Sequence, residues 1–359
     1  MACHRGLPGH NYPRIVYGRI ALLLAGTLGL SGCCAFPMLG YNGPLSDHFD
    51  GERFRNQRPL RARGFRDLLR WQRNRNPGPW PSWTDAEPGP PPPRAVQGDR
   101  LRVTFVNHST VLIQLHGVNI LTDPVWSNRA SPVSWAGPRR RRPPGIRFED
   151  LPPVHLVVIS HNHYDHLDLP TLKRLYRKHR PRFVVGLGNA ELLRSRGIDD
   201  AIELDWWQRF AVTDEVSVTM VPAQHFSSRG LCDHFATLWG GYVVQGRAGS
   251  VYFAGDTGFG PHFEQVRARL GPPRLAILPI GAFRPRWFMS PMHISPDQAV
   301  EAHRLLGART SLAVHFGTFP LGDDGQDEPV TELRRALKQQ GVQDERFWVL
   351  AFGEGRDVP

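Results

Sequence analysis

A chain of 359 residues, 40% hydrophobic and 21% charged, can bury one large core or two modest ones, and this composition excludes wholesale disorder. The formal charge of +11, carried almost wholly by arginine, favours anionic partners such as lipid headgroups, nucleic acid or phosphorylated metabolites without choosing among them. The 36 glycines and 33 prolines suit a loop-rich α/β protein better than a helical bundle.

At the N-terminus, Arg5, Arg14 and Arg19 precede an apolar run from Ile20 to Leu30. The run is too short for an ordinary transmembrane helix and has the length of a signal-peptide core. It ends in Leu30-Ser31-Gly32-Cys33, which resembles a bacterial lipobox. Residues 1–32 are therefore expected to be a lipoprotein signal peptide, with Cys33 the lipid anchor in a bacterial cell envelope. Residue 34 is not aspartate, which favours the outer membrane, facing the periplasm. A buried first helix with an incidental cysteine is the alternative. No Cys34–Cys232 disulfide is predicted, because nothing in the sequence fixes their separation.

Residues 33–98 read as an arginine- and proline-rich arm. Residues 51–75 hold nine arginines against Glu52 and Asp67, with helical turns expected from Phe65 to Trp71. The prolines that follow disfavour a regular sheet. Trp80 and Trp83 either pack this arm onto the domain or touch a membrane or partner.

The domain is expected over 99–359. Alternation predicts strands at 101–107, 111–115, 118–122, 154–160, 182–186, 216–221, 242–245, 251–254, 275–280 and 311–316. Leu169, Leu172 and Leu175 are spaced for one helix face after Asp168, a candidate cap, with Pro170 tolerated in the first turn. Further helices are expected at 189–195, 261–270, 296–306 and 330–340. Hairpins first and strand–helix alternation later suggest two mixed sheets with helices outside.

The decisive segment is Ser160-His161-Asn162-His163-Tyr164-Asp165-His166, directly after a strand and before a helix. Imidazole and carboxylate are ligands that zinc accepts, and a strand-to-helix turn can aim such side chains into one cavity. His225 and Asp256 each follow an expected strand and His315 lies near the end of one, so separate strand ends can carry them to the same edge.

The pattern HxHxDH resembles the signature of the metallo-β-lactamase fold, an αββα sandwich of two mixed β-sheets flanked by helices. NHSTVLIQ at 107–114, LTDPVWS at 121–127, PAQHFSSR at 222–229, FAGDTGF at 253–259, GAFRPRWFM at 281–289 and HFGTF at 315–319 are similar to the branch of N-acyl-phosphatidylethanolamine-hydrolysing phospholipase D. The resemblance implies two zinc ions per chain: His161, His163 and His225 on the first, Asp165, His166 and His315 on the second, Asp256 bridging. It implies catalytic roles for Asp165, as a ligand of the activating pair, and for His293, which would orient a phosphoryl oxygen or assist the leaving group. It also implies a phospholipid substrate and suggests a homodimer. Asp123 is a candidate acceptor for a ligand imidazole, whereas His108 only caps or packs its turn.

Arg284 and Arg286 are candidates for a phosphate, and Arg139–Arg142 form an exposed-looking basic run. Trp287, Phe288 and Met289 contact acyl chains or form a buried patch. Nucleic acid is not an expected partner, since no recognition module is evident. Hydrolysis of another phosphodiester, a lactone or an amide is the nearest alternative activity. A noncatalytic zinc-stabilised envelope scaffold is the alternative of another class.

Overall fold

Apolar residues at every second position build two sheets here. The computed structural model describes residues 40–60, 64–230 and 232–359, all within the unit Met38–Pro359. The expected signal peptide and Cys33 lie outside the described residues. Strands β1 (Leu101–Asn107), β2 (Thr110–Leu115) and β3 (Val118–Thr122) form an antiparallel meander. Strands β4 (Leu156–Ile159), β5 (Arg182–Gly186) and β6 (Ala201–Leu204) then add in parallel. The second sheet runs through β7 (Arg209–Ala211), β8 (Ser217–Val221), β9 (Gly241–Gly246) and β10 (Gly249–Phe253), all antiparallel. It continues in parallel through β11 (Leu275–Pro279), β12 (Thr310–Val314) and β13 (Phe347–Trp348). Finally β14 (Gly355–Asp357) pairs antiparallel with β1.

The sheet orders are β14-β1-β2-β3-β4-β5-β6 and β7-β8-β9-β10-β11-β12-β13. Position by position, the two sheets thus carry the same succession of antiparallel and then parallel pairings. The chain is a duplicated topology whose halves share no repeat visible in sequence. Strands β6, β7, β13 and β14 escaped the alternation analysis because each is two to four residues long or partly exposed.

Leu101, Val103, Phe105, Ile113 and Leu115 share one buried cluster with Val218, Tyr242 and Val244 of the other sheet. Their neighbours Val106, Leu112, Leu121, Val157 and Ile159 belong instead to a second cluster, with Leu172 and Leu175 of helix α2 (Leu169–His179). Inward and outward faces therefore alternate as the pleat requires. The remaining α-helices among the described residues are α1 (Phe65–Arg73), α3 (Ala190–Arg194), α4 (His262–Leu270), α5 (Arg286–Met289), α6 (Pro296–Leu306) and α7 (Glu328–Gln340). Phe263, Val300 and Leu333 bring α4, α6 and α7 into the larger cluster. The architecture is two mixed seven-stranded sheets flanked by helices.

The arm is part of this body. Phe49 and Phe54 are each only 2% exposed and sit in the main cluster. Burying one such ring is worth roughly 2–3 kcal/mol, enough to hold the segment down. Trp71 stacks on Phe288 at 4.8 Å and Arg70 lies 4.7 Å over Trp287, so α1 covers the apolar surface of α5. Trp80 packs on the domain and donates its indole N–H to the Asp324 carbonyl at 2.8 Å, whereas Trp83 stays 41% exposed. Cys232 is disulfide-bonded, which the sequence analysis did not predict; the other cysteines lie outside the described residues.

Candidate metal centre

The C-terminal strand ends of both sheets meet at one edge. His161–His166 follow β4, His225 follows β8, Asp256 follows β10, and His315 comes directly after β12. The chain must turn sharply there: His315 has φ 62° and Asp123 φ 32°, in the left-handed region that costs an ordinary residue strain. Gly255, at φ 61°, solves the same problem without a side chain, because a Cβ there would stand 2.4 Å from the Ser160 Cβ.

His161, His163 and His225 form one group, their ligand atoms within 4.8 Å of one another. His161 Nε2 lies 2.8 Å, and His225 Nε2 3.3 Å, from His163 Nδ1. A second group gathers Asp165, His166 and His315 together with His108. Asp165 Oδ2 is 3.2 Å from His166 Nε2 and 3.5 Å from His315 Nε2. Asp256 Oδ2 stands between the groups, 3.2 Å from His166 Nε2, 3.1 Å from His315 Nε2 and 4.0 Å from His225 Nε2. The seven ligands expected from sequence therefore converge, although they span residues 161 to 315.

Hydrogen bonds behind the rings set their tautomers. The Ser160 hydroxyl donates to Asp123 Oδ2 at 2.5 Å, so its oxygen accepts from His161 Nδ1 at 2.9 Å. His166 Nδ1 donates to Asp123 Oδ2 at 2.6 Å, and His225 Nδ1 donates to the Met292 carbonyl at 2.9 Å. In its neutral form each ring presents an Nε2 lone pair inward, the arrangement that metal-ligating imidazoles show. His166 Nε2, His315 Nδ1 and Nε2, Asp256 Oδ1 and His293 Nδ1 are buried without a hydrogen bond. So many unsatisfied donors and acceptors at one point would each cost about 1–3 kcal/mol, and a divalent cation would satisfy several of them at once. The residues fit a metal pair.

Electrostatics divides the groups. Burial pushes His163 down to about 4 and His161 and His225 well below the usual imidazole value; repulsion from His166 adds to it at His161, and from His163 at His225. Burial alone would also lower His315, but Asp256 and Asp165 overcome it and carry it up to about 9. The same balance raises His166, and it holds Asp165 and Asp256 well below the ordinary carboxylate range against their own burial. The first group is thus made of neutral donors, whereas the second already carries opposed charges.

A model of the β-lactamase superfamily domain matches residues 118–316. N-acyl-phosphatidylethanolamine-hydrolyzing phospholipase D 1 of Caenorhabditis elegans is 41% identical over 266 residues, covering 71% of this chain and 75% of that one. The mitochondrial N-acyl-phosphatidylethanolamine-hydrolyzing phospholipase D of Saccharomyces cerevisiae is 32% identical, over 67% of this chain and 53% of its own. A solved metallo hydrolase of the archaeon Ignicoccus hospitalis superposes with a TM-score of 0.55 at 22% identity, over 72% of this chain and 99% of that chain. The chain belongs to the metallo-β-lactamase superfamily. Within it, this is a metal-dependent hydrolase related to the N-acyl-phosphatidylethanolamine phospholipases D.

Several side chains of this hydrolase differ from their sequence expectation. Asp168 stands at the N-cap position of α2 but makes no side-chain cap bond; its carboxylate takes Ser127 Oγ at 2.7 Å and Thr171 Oγ1 at 2.5 Å instead. Arg140, within the run expected at the surface, is 1% exposed and donates to the Ser127 and Val125 carbonyls. Arg284 pairs with Glu328 at 2.6 Å, while Arg286 donates to the His293 carbonyl at 3.0 Å and to Gln298 at 2.8 Å. Arg286 therefore braces the His293 loop. His293 Nδ1 lies 3.8 Å from Asp256 Oδ2 with its ring 14% exposed, at the mouth of the cluster. Asp123 serves His166 as expected, but His108 does more than cap its turn: its Nε2 lies 2.9 Å from Asp165 Oδ2. Arg229, which drew no attention in sequence, supports the ligand loop by donating to the Asn162 and Leu167 carbonyls while lying 3.9 Å over Tyr164.

Proposed function

We propose that this chain hydrolyses the phosphodiester of N-acyl-phosphatidylethanolamine with two zinc ions. The first would be held by His161, His163 and His225, the second by Asp165, His166 and His315, with Asp256 shared. The position of Asp256 carries this reading: one oxygen of it reaches ligands of both groups at 3.1–4.0 Å. Bound there, the pair would supply an acidified water at neutral pH and offset charge on the phosphoryl oxygens.

The water oxygen bonds to phosphorus as the bond from phosphorus to the ethanolamide oxygen breaks. That oxygen takes up the proton the water gives up, giving phosphatidic acid and an N-acylethanolamine. His293 is held down to about 4 by burial, so near neutrality it meets a phosphoryl oxygen as a neutral imidazole, orienting it by hydrogen bonding. Similarity to the worm and yeast phospholipases supports the lipid assignment. So does a groove of about 850 Å³ beside Tyr164, lined by Arg129, Lys173, Arg174, Arg177 and Arg196, whose charge suits an anionic bilayer. No helix among the described residues is long and apolar enough to cross a membrane. Attachment through a lipidated Cys33, in the outer membrane of a bacterial envelope, completes this reading. Fatty-acid labelling that is equal in Cys33→Ala and the parent would remove that anchor.

The test is incubation of the zinc-loaded protein with N-acyl phospholipids and simpler diesters, followed by mass spectrometry. Phosphatidic acid and N-acylethanolamine in equal amounts are expected. Cleavage of simple diesters or lactones with the lipids left intact would assign another substrate.

A further inference from the structure

The duplicated sheet order makes β1 the counterpart of β8, and β3 the counterpart of β10. Each half sends a histidine and an aspartate to the site after those strands. After β8 and β10 these are His225 and Asp256, which face the metal positions. After β1 and β3 they are His108 and Asp123, which stand one layer behind. Asp123 holds His166, and His108 holds Asp165. The first half thus supports the ligands of the second metal position with the same pair of residue types that the second half contributes as ligands.

His108 is tied into that position more than once. Its Nε2 reaches Asp165 Oδ2 at 2.9 Å, and because the partner is a carboxylate that nitrogen must carry the proton. Its backbone carbonyl accepts the His315 N–H at 2.7 Å, and its own N–H donates to Thr318 Oγ1 at 3.1 Å. Its ring lies 4.1 Å from that of His315, and its backbone is left-handed, with φ 47°. One residue therefore grips two of the three ligands of the second group, Asp165 and His315, with its ring 2% exposed and closed off from solvent.

We propose that His108 is a positioning residue for the second metal: its Nε2–H holds one oxygen of Asp165, turning that carboxylate toward His166 and His315. The inference rests on the two-metal reading given above. A carboxylate without this donor can rotate away, which weakens the second metal and leaves the first, built from His161, His163 and His225, in place. Partners of this kind typically set metal affinity by about 10–100-fold.

Two variants separate a donor role from a packing role. A glutamine amide nitrogen falls near the imidazole Nε2, whereas an asparagine amide falls near Nδ1, and asparagine tolerates the left-handed backbone better. Zinc stoichiometry and stepwise affinity are measured by chelator competition on the parent, His108→Gln and His108→Asn, alongside thermal unfolding of each zinc-free protein. The parent should bind two zinc ions. His108→Gln should keep the second within about threefold of the parent. His108→Asn should bind the first normally and the second about 10–100-fold more weakly. Equal second-zinc affinity in His108→Asn and the parent would overturn the proposal. Equal impairment of the two variants, or loss of folding in both, would also overturn it by assigning His108 to packing. A parent that binds fewer than two zinc ions would instead defeat the two-metal reading itself.

Discussion

Asn56 clasps the backbone of His225 on both sides, donating from Nδ2 to the His225 carbonyl at 2.7 Å and accepting the His225 N–H on Oδ1 at 3.0 Å. The Asn56 oxygen also takes the Trp239 indole N–H at 3.2 Å. A residue of the arm thereby fixes a ligand of the metal centre, and Arg58 adds a carbonyl for the neighbouring Gln224 at 2.8 Å. Asn56→Ala should lower affinity for the first zinc about 10-fold, as the loss of a supporting partner does. Chelator competition measures it. An unchanged affinity would show that Phe49 and Phe54 alone suffice to seat the arm.

Asp165→Asn removes a carboxylate from the second group and leaves the first untouched. The expected variant is folded, holds about one zinc per chain and turns over at least 100-fold more slowly on a true diester substrate. Zinc content, melting temperature and hydrolysis should come from one preparation. Turnover near the parent's with one zinc bound would point to a one-metal hydrolase.

Gly255→Ala places a methyl group 2.4 Å from the Ser160 Cβ at a backbone angle, φ 61°, that alanine resists. The cost should be about 2–4 kcal/mol, visible as a lower unfolding midpoint in urea. Because Ser160 orients His161, zinc affinity should fall as well. A variant with the parent's midpoint and zinc affinity would mean that the turn relaxes freely.

His48 gives a pH-dependent contribution away from the metals. It stacks on Trp206 at 4.4 Å and pairs with Asp205 at 2.7 Å. Burial opposes its charge, but Asp205 and then Asp47 overcome that and raise it above the ordinary histidine value. The folded state therefore binds the proton more tightly than the unfolded chain. The stabilisation is complete below the unfolded value of about 6.5 and disappears as pH rises through the folded value. His48→Gln should cost about 1 kcal/mol near pH 5.5 and much less near pH 9. A penalty independent of pH would assign the residue's contribution to stacking alone.

The ligand loop was legible because four donors fall within His161–His166 right after a strand, where local spacing alone forces them together. His225, Asp256 and His315 were legible as residues just past apolar runs. His108 and Asn56 were not, because their roles depend on contacts with residues 57 and 169 positions away along the chain. Composition misled at Arg140, where a charged run suggested solvent. Backbone carbonyls of the 125–127 turn hold that guanidinium in the interior, where burial depresses its pKa to about 10. Short strands such as β13 and β14 owe their form to a neighbour's open edge rather than to their own pattern.

That last strand has a consequence for how the protein can be handled. β14 covers the free side of β1, with Asp357 pairing to Arg100 and Arg102. Beyond it, Val358 donates to the Leu101 carbonyl, and Arg274, just before β11 in the other sheet, grips the carbonyls of Val358 and Pro359. The final five residues are therefore a lace between the halves. Trimming them would bare a row of unpaired backbone groups along β1, a template on which a second molecule can add its own strand. Self-association into ordered aggregates, rather than simple melting, is the failure to watch for in a shortened chain.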